Sequence, residues 1–202
     1  MNPGRLEAFS DGVIAIAITL LVLDLKVPEL AAGGPPLGAA LRAQWPGYLG
    51  YVTSFATIGI MWVNHHALVR FVAKVDRTFL YANLALLFGI ATLPFTTALA
   101  SRWLRAGDDA RLAVALYCAS MMLIGLLFVA MWAYLGRHPD MLVATASPDA
   151  PRHAVRRSSV GPCAYAVATA LAVVSPVAAL AVCTVVAAYF VRPGRGAAEL
   201  TA

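Results

Sequence analysis

The sequence predicts an all-α protein that crosses a membrane six times. Three observations lead to this prediction: the composition, the length of the apolar runs, and the distribution of basic residues. The chain is 61% hydrophobic and 12% charged, with a mean hydropathy of +0.77. Its 15 basic and 10 acidic side chains are too few to cover a water-facing globule of 202 residues. This composition excludes a soluble enzyme, a secreted disulfide scaffold and a disordered tail.

The predicted spans follow from the apolar runs. About 20 apolar residues cross a hydrocarbon core about 30 Å thick as a helix. Four runs are separated by charged residues, and a fifth run, residues 160–191, is broken by Ser175-Pro176. A proline disfavours helical backbone at the preceding residue, so we expect a turn between two short helices. The spans are residues 8–25, 46–71, 78–100, 111–135, 158–174 and 176–191, within a single domain of residues 1–202.

The basic residues favour six spans over five. With six spans, ten lysines and arginines lie on the side of the two termini and five lie on the other side. With five spans the two sides carry eight and seven, which is hardly a bias. Basic residues accumulate in cytoplasmic loops, so we expect both termini in the cytoplasm and the protein in the cell membrane. Glu7 and Asp11 replace the basic start of a signal peptide, so we expect the first helix to be retained.

Several other functions are disfavoured by the residue patterns. The basic residues form no stripe with interleaved aromatics, which disfavours nucleic-acid binding. The three cysteines lie in apolar runs without a CxxC pair. His65 and His66 are adjacent rather than at the i, i+4 spacing of many zinc sites. Phosphate loops and nucleophile elbows are absent from the sequence, so we expect no enzyme activity, cofactor or resident metal.

A few polar side chains fall inside the predicted spans, where they are costly and often functional. Counted from the cytoplasmic end of each helix at about 1.5 Å per residue, they lie in one layer roughly 6 to 9 Å deep. A common layer allows hydrogen bonds between helices, and such interhelical packing is their simplest role. Adjacent histidines point about 100° apart, so at most one of them can face Asp11. The residues that define this layer are Asp11, His65, His66 and Asn83.

The first helix also carries an apolar stripe. Ile16, Leu20 and Leu23 share one face at i, i+4 and i+7, Gly12 continues that face, and Thr19 lies beside it. Spacing alone fits a packed core or a lipid-facing surface equally well.

Two motifs connect the chain with a known family. The first helix begins with the pattern R-x-x-x-F-S-D, and the second contains W-x-N-H-H. Together with the six-span profile, they resemble the prokaryotic relatives of the lysosomal potassium channel transmembrane protein 175 over essentially the whole chain. The matching residues are Arg5, Phe9, Ser10 and Asp11, followed by Trp62, Asn64, His65 and His66.

The resemblance implies a homotetramer whose central pore is lined by the first helix of each subunit. By position after the F-S-D motif, the pore constriction falls on Ile16, Leu20 and Leu23, with Thr19 as a polar neighbour. The remaining polar residues form a supporting network that holds the pore helix. This network consists of Arg5, Phe9, Ser10, Asp11, Trp62, Asn64, His65, His66 and Asn83.

The leading functional prediction is therefore a potassium-preferring cation channel with a hydrophobic constriction. The carbonyl filter TVGYG is absent, so a preference for potassium must arise in another way. A proton-coupled secondary transporter is the alternative, with Asp11 and a histidine of the second helix exchanging protons. A purely structural or assembly role is a third interpretation. The predicted partners are potassium ions, further copies of the chain and the lipid bilayer.

Overall fold

The described part of the chain consists of long α-helices joined by short loops. The computed structural model describes residues 3–29 and 33–191. A short 3₁₀ helix, Leu21–Asp24, extends the first helix, and another, Pro139–Met141, follows the fifth. The α-helices are α1 (Pro3–Leu20), α2 (Leu37–Ala43), α3 (Trp45–Val69), α4 (Arg77–Trp103), α5 (Asp108–Arg137), α6 (Ala150–Ala172) and α7 (Pro176–Val191).

Each predicted span overlaps one long helix, and two helices, α1 and α6, begin five or more residues before the predicted span. Helix α6 begins at Ala150 rather than at residue 158. Hydropathy detects the apolar part of a helix, and the first turns of α6 contain arginines that are good helix formers but are not apolar. Helix α1 begins at Pro3, and its end narrows into the 3₁₀ helix before residue 25. A structured helix is therefore longer than its membrane-spanning part.

Within residues 3–29 and 33–191, three helical segments are both long and apolar enough to cross a membrane. They are Pro3–Asp24, Arg77–Trp103 and Asp108–Arg137, and Pro176–Val191 is a shorter apolar helix. The chain is therefore a multi-pass membrane protein by the length and composition of its helices.

The predicted turn between the last two helices is confirmed. Helix α6 ends at Ala172 and α7 begins with Pro176 at its first position, where a missing N–H costs nothing. The Ser175 hydroxyl accepts a hydrogen bond from the backbone N–H of Ala178 at 3.3 Å, which caps the new helix.

Small residues let the helices of the bundle approach closely. A Cβ atom added to Gly125 on α5 would lie 2.9 Å from Cδ and 3.3 Å from the backbone nitrogen of Pro162 on α6. The α5–α6 contact is therefore as tight as a glycine allows, as is common between membrane helices.

We expect Gly125→Ala to destabilise the protein by about 1 to 3 kcal/mol, because the new methyl group meets a rigid proline ring. The measurement is the thermal unfolding of detergent-solubilised protein. Gly59→Ala is the matched control, since a Cβ atom there meets nothing within 4 Å. Equal melting temperatures for the two variants would contradict the close approach.

The loops at one end of the bundle are joined to each other. The α3–α4 loop pairs with the α5–α6 loop through Ala73 N to Met141 O at 2.8 Å and Val143 N to Phe71 O at 3.0 Å. Beside them, Asp76 caps α4 by accepting the Phe79 N–H at 2.8 Å. The Tyr134 hydroxyl and this N–H both donate to Asp76 and hold the pKa of its carboxyl below the usual range. These contacts fix the ends of α3 and α4, the helices that hold α1.

Candidate pore helix and its polar support

Helix α1 has two chemically different faces. Its buried face consists of Leu6, Ser10, Ile14 and Ala17, and it packs against α3 and α4. The alternation of large and small side chains at i, i+4, i+8 and i+11 lets α1 lie close to both neighbours. This side of α1 is thus buried by contacts within the chain.

A second face of α1, which continues into its 3₁₀ extension, carries an exposed apolar stripe. Ile16, Leu20 and Leu23 are 60%, 45% and 66% exposed. Gly12 and Thr19 lie on the same exposed side. The Thr19 hydroxyl donates to the carbonyl of Ile16 at 2.9 Å, so this polar group is partly satisfied by its own helix. The predicted constriction residues therefore form one continuous stripe that faces away from the rest of the chain.

A buried chain of hydrogen bonds joins α1 to two other helices. The Nδ2 amide of Asn83 donates to the Ser10 hydroxyl at 3.0 Å, and this hydroxyl donates to the Leu6 carbonyl at 2.8 Å. The Oδ1 atom of Asn83 lies 2.8 Å from Nε2 of His65. Because Oδ1 can only accept, Nε2 of His65 carries the hydrogen. Ser10, His65 and Asn83 are nearly or completely inaccessible to solvent, so these bonds form in a low-dielectric core.

A second pair of contacts joins α1 to α3 at a more exposed level. The indole Nε1 of Trp62 donates to Oδ1 of Asp11 at 2.8 Å. Nδ1 of His66 lies 2.7 Å from Oε1 of Glu7. Glu7 and Asp11 are four residues apart on α1 and so present both carboxylates to α3. The two contacts fix the rotation of α1 about its own axis.

The sequence analysis did not assign Glu7 to the network. Its position four residues before Asp11 could have indicated this role, because that spacing places both carboxylates on one face of the helix. The structure also answers the question about the adjacent histidines: His65 bonds to Asn83 and His66 to Glu7, while Asp11 accepts from Trp62.

The far end of α1 is attached to α4 through another acidic residue. Asp24 lies 3.4 Å from an Nη atom of Arg102 and accepts a long hydrogen bond from the Ser101 hydroxyl at 3.5 Å. Polar contacts therefore hold α1 at both ends, which leaves its exposed stripe in a defined orientation.

The structure places three predicted network residues outside the hydrogen-bonded chain. Arg5 and Phe9 line a shallow pocket together with Tyr81 on α4. Asn64 is a correction to the predicted network: its amide donates to the Ile60 carbonyl of its own helix at 2.8 Å, and its side chain lines a separate cavity. Sequence spacing could not distinguish these outcomes, since neighbouring positions of a helix point in different directions.

We searched residues 3–29 and 33–191 for clusters of potential metal ligands. This part of the chain contains no group of three or more His, Cys, Asp or Glu side chains placed to hold an ion. The polar residues instead connect helices. The apolar helices and the buried polar contacts together define the class of protein: a multi-pass α-helical membrane protein whose first helix is held from one side.

Comparison with known proteins identifies the family. The sequence profile of the family described as endosomal/lysosomal potassium channel TMEM175 matches residues 5–94. A potassium channel of Streptomyces collinus is 43% identical over 187 residues, covering 93% of this chain and 90% of the relative. The chain therefore belongs to the TMEM175 ion channel family. This finding confirms the predicted family and supports the prediction that the protein is a channel rather than an enzyme.

Two further comparisons place the chain within the family. The crystal structure of a homologue of the lysosomal potassium-selective channel TMEM175, from Chamaesiphon minutus, superposes with a TM-score of 0.82 at 39% identity, covering 94% of this chain and 96% of that one. The human endosomal/lysosomal proton channel TMEM175 is 37% identical over 141 residues, covering 65% of this chain and 28% of the human protein. The fold of the described residues is thus that of a prokaryotic family member.

Proposed function

We propose that the protein is a potassium-permeable channel of the cell membrane, formed by four copies of the chain around a central pore. Each copy contributes six spans, α1 and α3–α7, with both termini in the cytoplasm. The first helix of each copy lines the pore, and Ile16, Leu20 and Leu23 form its apolar constriction.

One observation carries the proposal: the apolar stripe of Ile16, Leu20 and Leu23 stays exposed while another face of α1 is buried against α3 and α4. Ile16 and Leu23 are among the exposed large side chains of the helix, whereas Ser10 and Ile14 are buried. Polar contacts at both ends hold this orientation. A helix that lines a lumen needs a defined rotation, and these interhelical contacts supply one.

Symmetry explains how so few polar groups can serve a conduction path. A single copy offers one apolar stripe, but fourfold repetition around an axis closes four stripes into rings. A narrow ring of isoleucine or leucine side chains excludes water and acts as a gate, and a slightly wider ring conducts. Potassium holds its hydration shell less tightly than sodium, so a dehydrating ring favours potassium.

The relatives support this ion choice. The Streptomyces collinus relative is named a potassium channel, and the Chamaesiphon minutus protein is described as a homologue of the lysosomal potassium-selective channel TMEM175. Both cover more than nine tenths of this chain, including every proposed pore residue.

The test is ion flux through purified protein in liposomes, measured first with a potassium gradient and then with an equal sodium gradient. We expect faster potassium flux without any requirement for a proton gradient. Native mass spectrometry of the same preparation should give the mass of four chains. A monomer, or sodium flux equal to potassium flux, would refute the proposal. Flux that requires a proton gradient would instead support the transporter alternative, in which Asp11 and a histidine exchange protons.

A further inference from the structure

Two of the three cysteines meet inside the helical bundle. Cys118 on α5 and Cys183 on α7 are 65 residues apart in the sequence, yet their Sγ atoms lie 3.5 Å apart. Both side chains are buried, with 0% and 3% of their surface exposed. The third cysteine, Cys163 on α6, is exposed. The tertiary structure thus brings together two thiols that the sequence shows only as members of separate apolar runs.

Each of the two thiols lies on the face that its helix buries. Ala179, Cys183 and Val186 are the buried residues of α7 and share one face at i, i+4 and i+7. On α5, Cys118 follows the buried Val114 by four residues and lies on the same face. These faces of α5 and α7 contact each other. The close packing of the two helices therefore holds the sulfur atoms side by side.

The separation of the sulfur atoms suits the formation of a disulfide bond. An S–S bond is about 2.05 Å long, so the two atoms have to approach each other by about 1.5 Å. Side-chain rotations within about 30° of a rotamer can cover such a distance at low cost. The two helices can therefore be linked without a large movement of the backbone.

A cavity of about 650 Å³ leads to within one helical turn of the thiols. Met121 and Ala187 line this cavity, and they follow Cys118 by three residues and Cys183 by four. Residues at these spacings share a helix face, so the thiols lie next to the inner part of the cavity. Its lining extends to Asp149, which directly precedes α6. A small uncharged molecule can follow this path, whereas an ion loses hydration in it.

We propose that Cys118 and Cys183 form a site of oxidative modification, at which a small uncharged two-electron oxidant converts the two thiols into a disulfide between α5 and α7. With an azo compound such as diamide, the sulfur of one cysteine adds to one nitrogen of the N=N bond, and its hydrogen moves to the other nitrogen. The sulfur of the second cysteine then attacks the first sulfur. The S–N bond breaks, the S–S bond forms, and a hydrazine leaves with the second thiol hydrogen. The two sulfurs lose two electrons, which reduce the azo group.

The disulfide joins α7 covalently to the centre of the bundle. Helix α7 is 16 residues long and carries no charged side chain, so apolar packing provides most of its attachment. It also contacts α3, one of the two helices that hold α1. Oxidation therefore fixes the position of a helix that otherwise depends on weak contacts.

The experiment treats the purified full-length protein with diamide, unfolds it, and counts the remaining thiols by alkylation and mass spectrometry. We expect three alkylated cysteines before treatment and only Cys163 after it. Cys118→Ser and Cys183→Ser should each keep both of their remaining thiols. Cys163→Ser is the matched control and should lose both of its thiols. On a non-reducing denaturing gel, the oxidised protein should run as a single chain.

Thermal unfolding provides a second measurement. The oxidised wild type should melt at least about 5 °C above the reduced protein, because the bond closes a long loop and restricts the unfolded chain. Diamide should cause no such shift in Cys183→Ser, and dithiothreitol should abolish it in the wild type.

Three results would overturn the proposal: three alkylated cysteines after treatment of the folded protein, a loss of thiols that Cys163→Ser prevents, or linkage between two copies on the gel. If one of the two serine variants does not fold, the other decides, since either substitution removes the pair. None of these measurements requires conduction, so failure of the channel proposal would be seen separately.

Discussion

Ile16→Asn is expected to increase cation flux and to weaken the preference for potassium over sodium. In the proposed tetramer the substitution places four amides in a ring that otherwise excludes water. An ion that meets these amides sheds its hydration shell at lower cost. A decrease in the barrier of about 1.4 kcal/mol corresponds to about a tenfold increase in flux. The measurement is the ratio of potassium to sodium flux in liposomes, normalised to the amount of tetramer.

The control for this experiment is Val167→Asn on α6. Ile16 and Val167 are 60% and 62% exposed, and both are β-branched. The two variants therefore introduce the same polar group at equally exposed positions, but only one lies on the stripe of α1. Unchanged flux in Ile16→Asn, or an equal increase in Val167→Asn, would place the conduction path elsewhere.

Asn83→Ala is expected to reduce the yield of tetramer while leaving ion preference unchanged. The substitution removes the residue that joins Ser10 to His65, and both of these partners are fully buried. A buried polar group without its partner costs about 1 to 3 kcal/mol. One or two kcal/mol change a folded population by a factor of about 5 to 30. Size-exclusion chromatography measures the tetramer yield, and liposome flux measures the preference of the tetramers that remain.

Asn64→Ala is the matched control for Asn83→Ala. It removes the same type of side chain from α3, but the amide of Asn64 bonds only to a carbonyl of its own helix in the described contacts. We expect a near-normal yield for this variant. If Asn83→Ala assembled normally and changed the ratio of potassium to sodium flux, the buried hydrogen bonds would belong to the conduction path instead.

The membrane class and the approximate positions of the long apolar helices follow from the sequence. Hydrophobic runs of about 20 residues can satisfy their backbone hydrogen bonds in lipid only as helices, so their number and order are readable from hydropathy. The break at Ser175-Pro176 was readable for a similar reason, since proline restricts the backbone before it. The motif around Ser10 and Asp11, the W-x-N-H-H motif and the span profile together were sufficient to predict the family. All of these properties depend on residues that are close to each other in the sequence.

The pairing of the polar side chains was decided only by the tertiary structure. Depth along a helix predicts which residues share a layer, but the partners depend on the rotation of each helix about its axis. That rotation is set by packing, as at Ile14 and Ala17 on the buried face of α1. As a result, Glu7 contacts His66 although it was not among the predicted network residues. Asn64 instead lines a cavity that the composition gave no reason to expect.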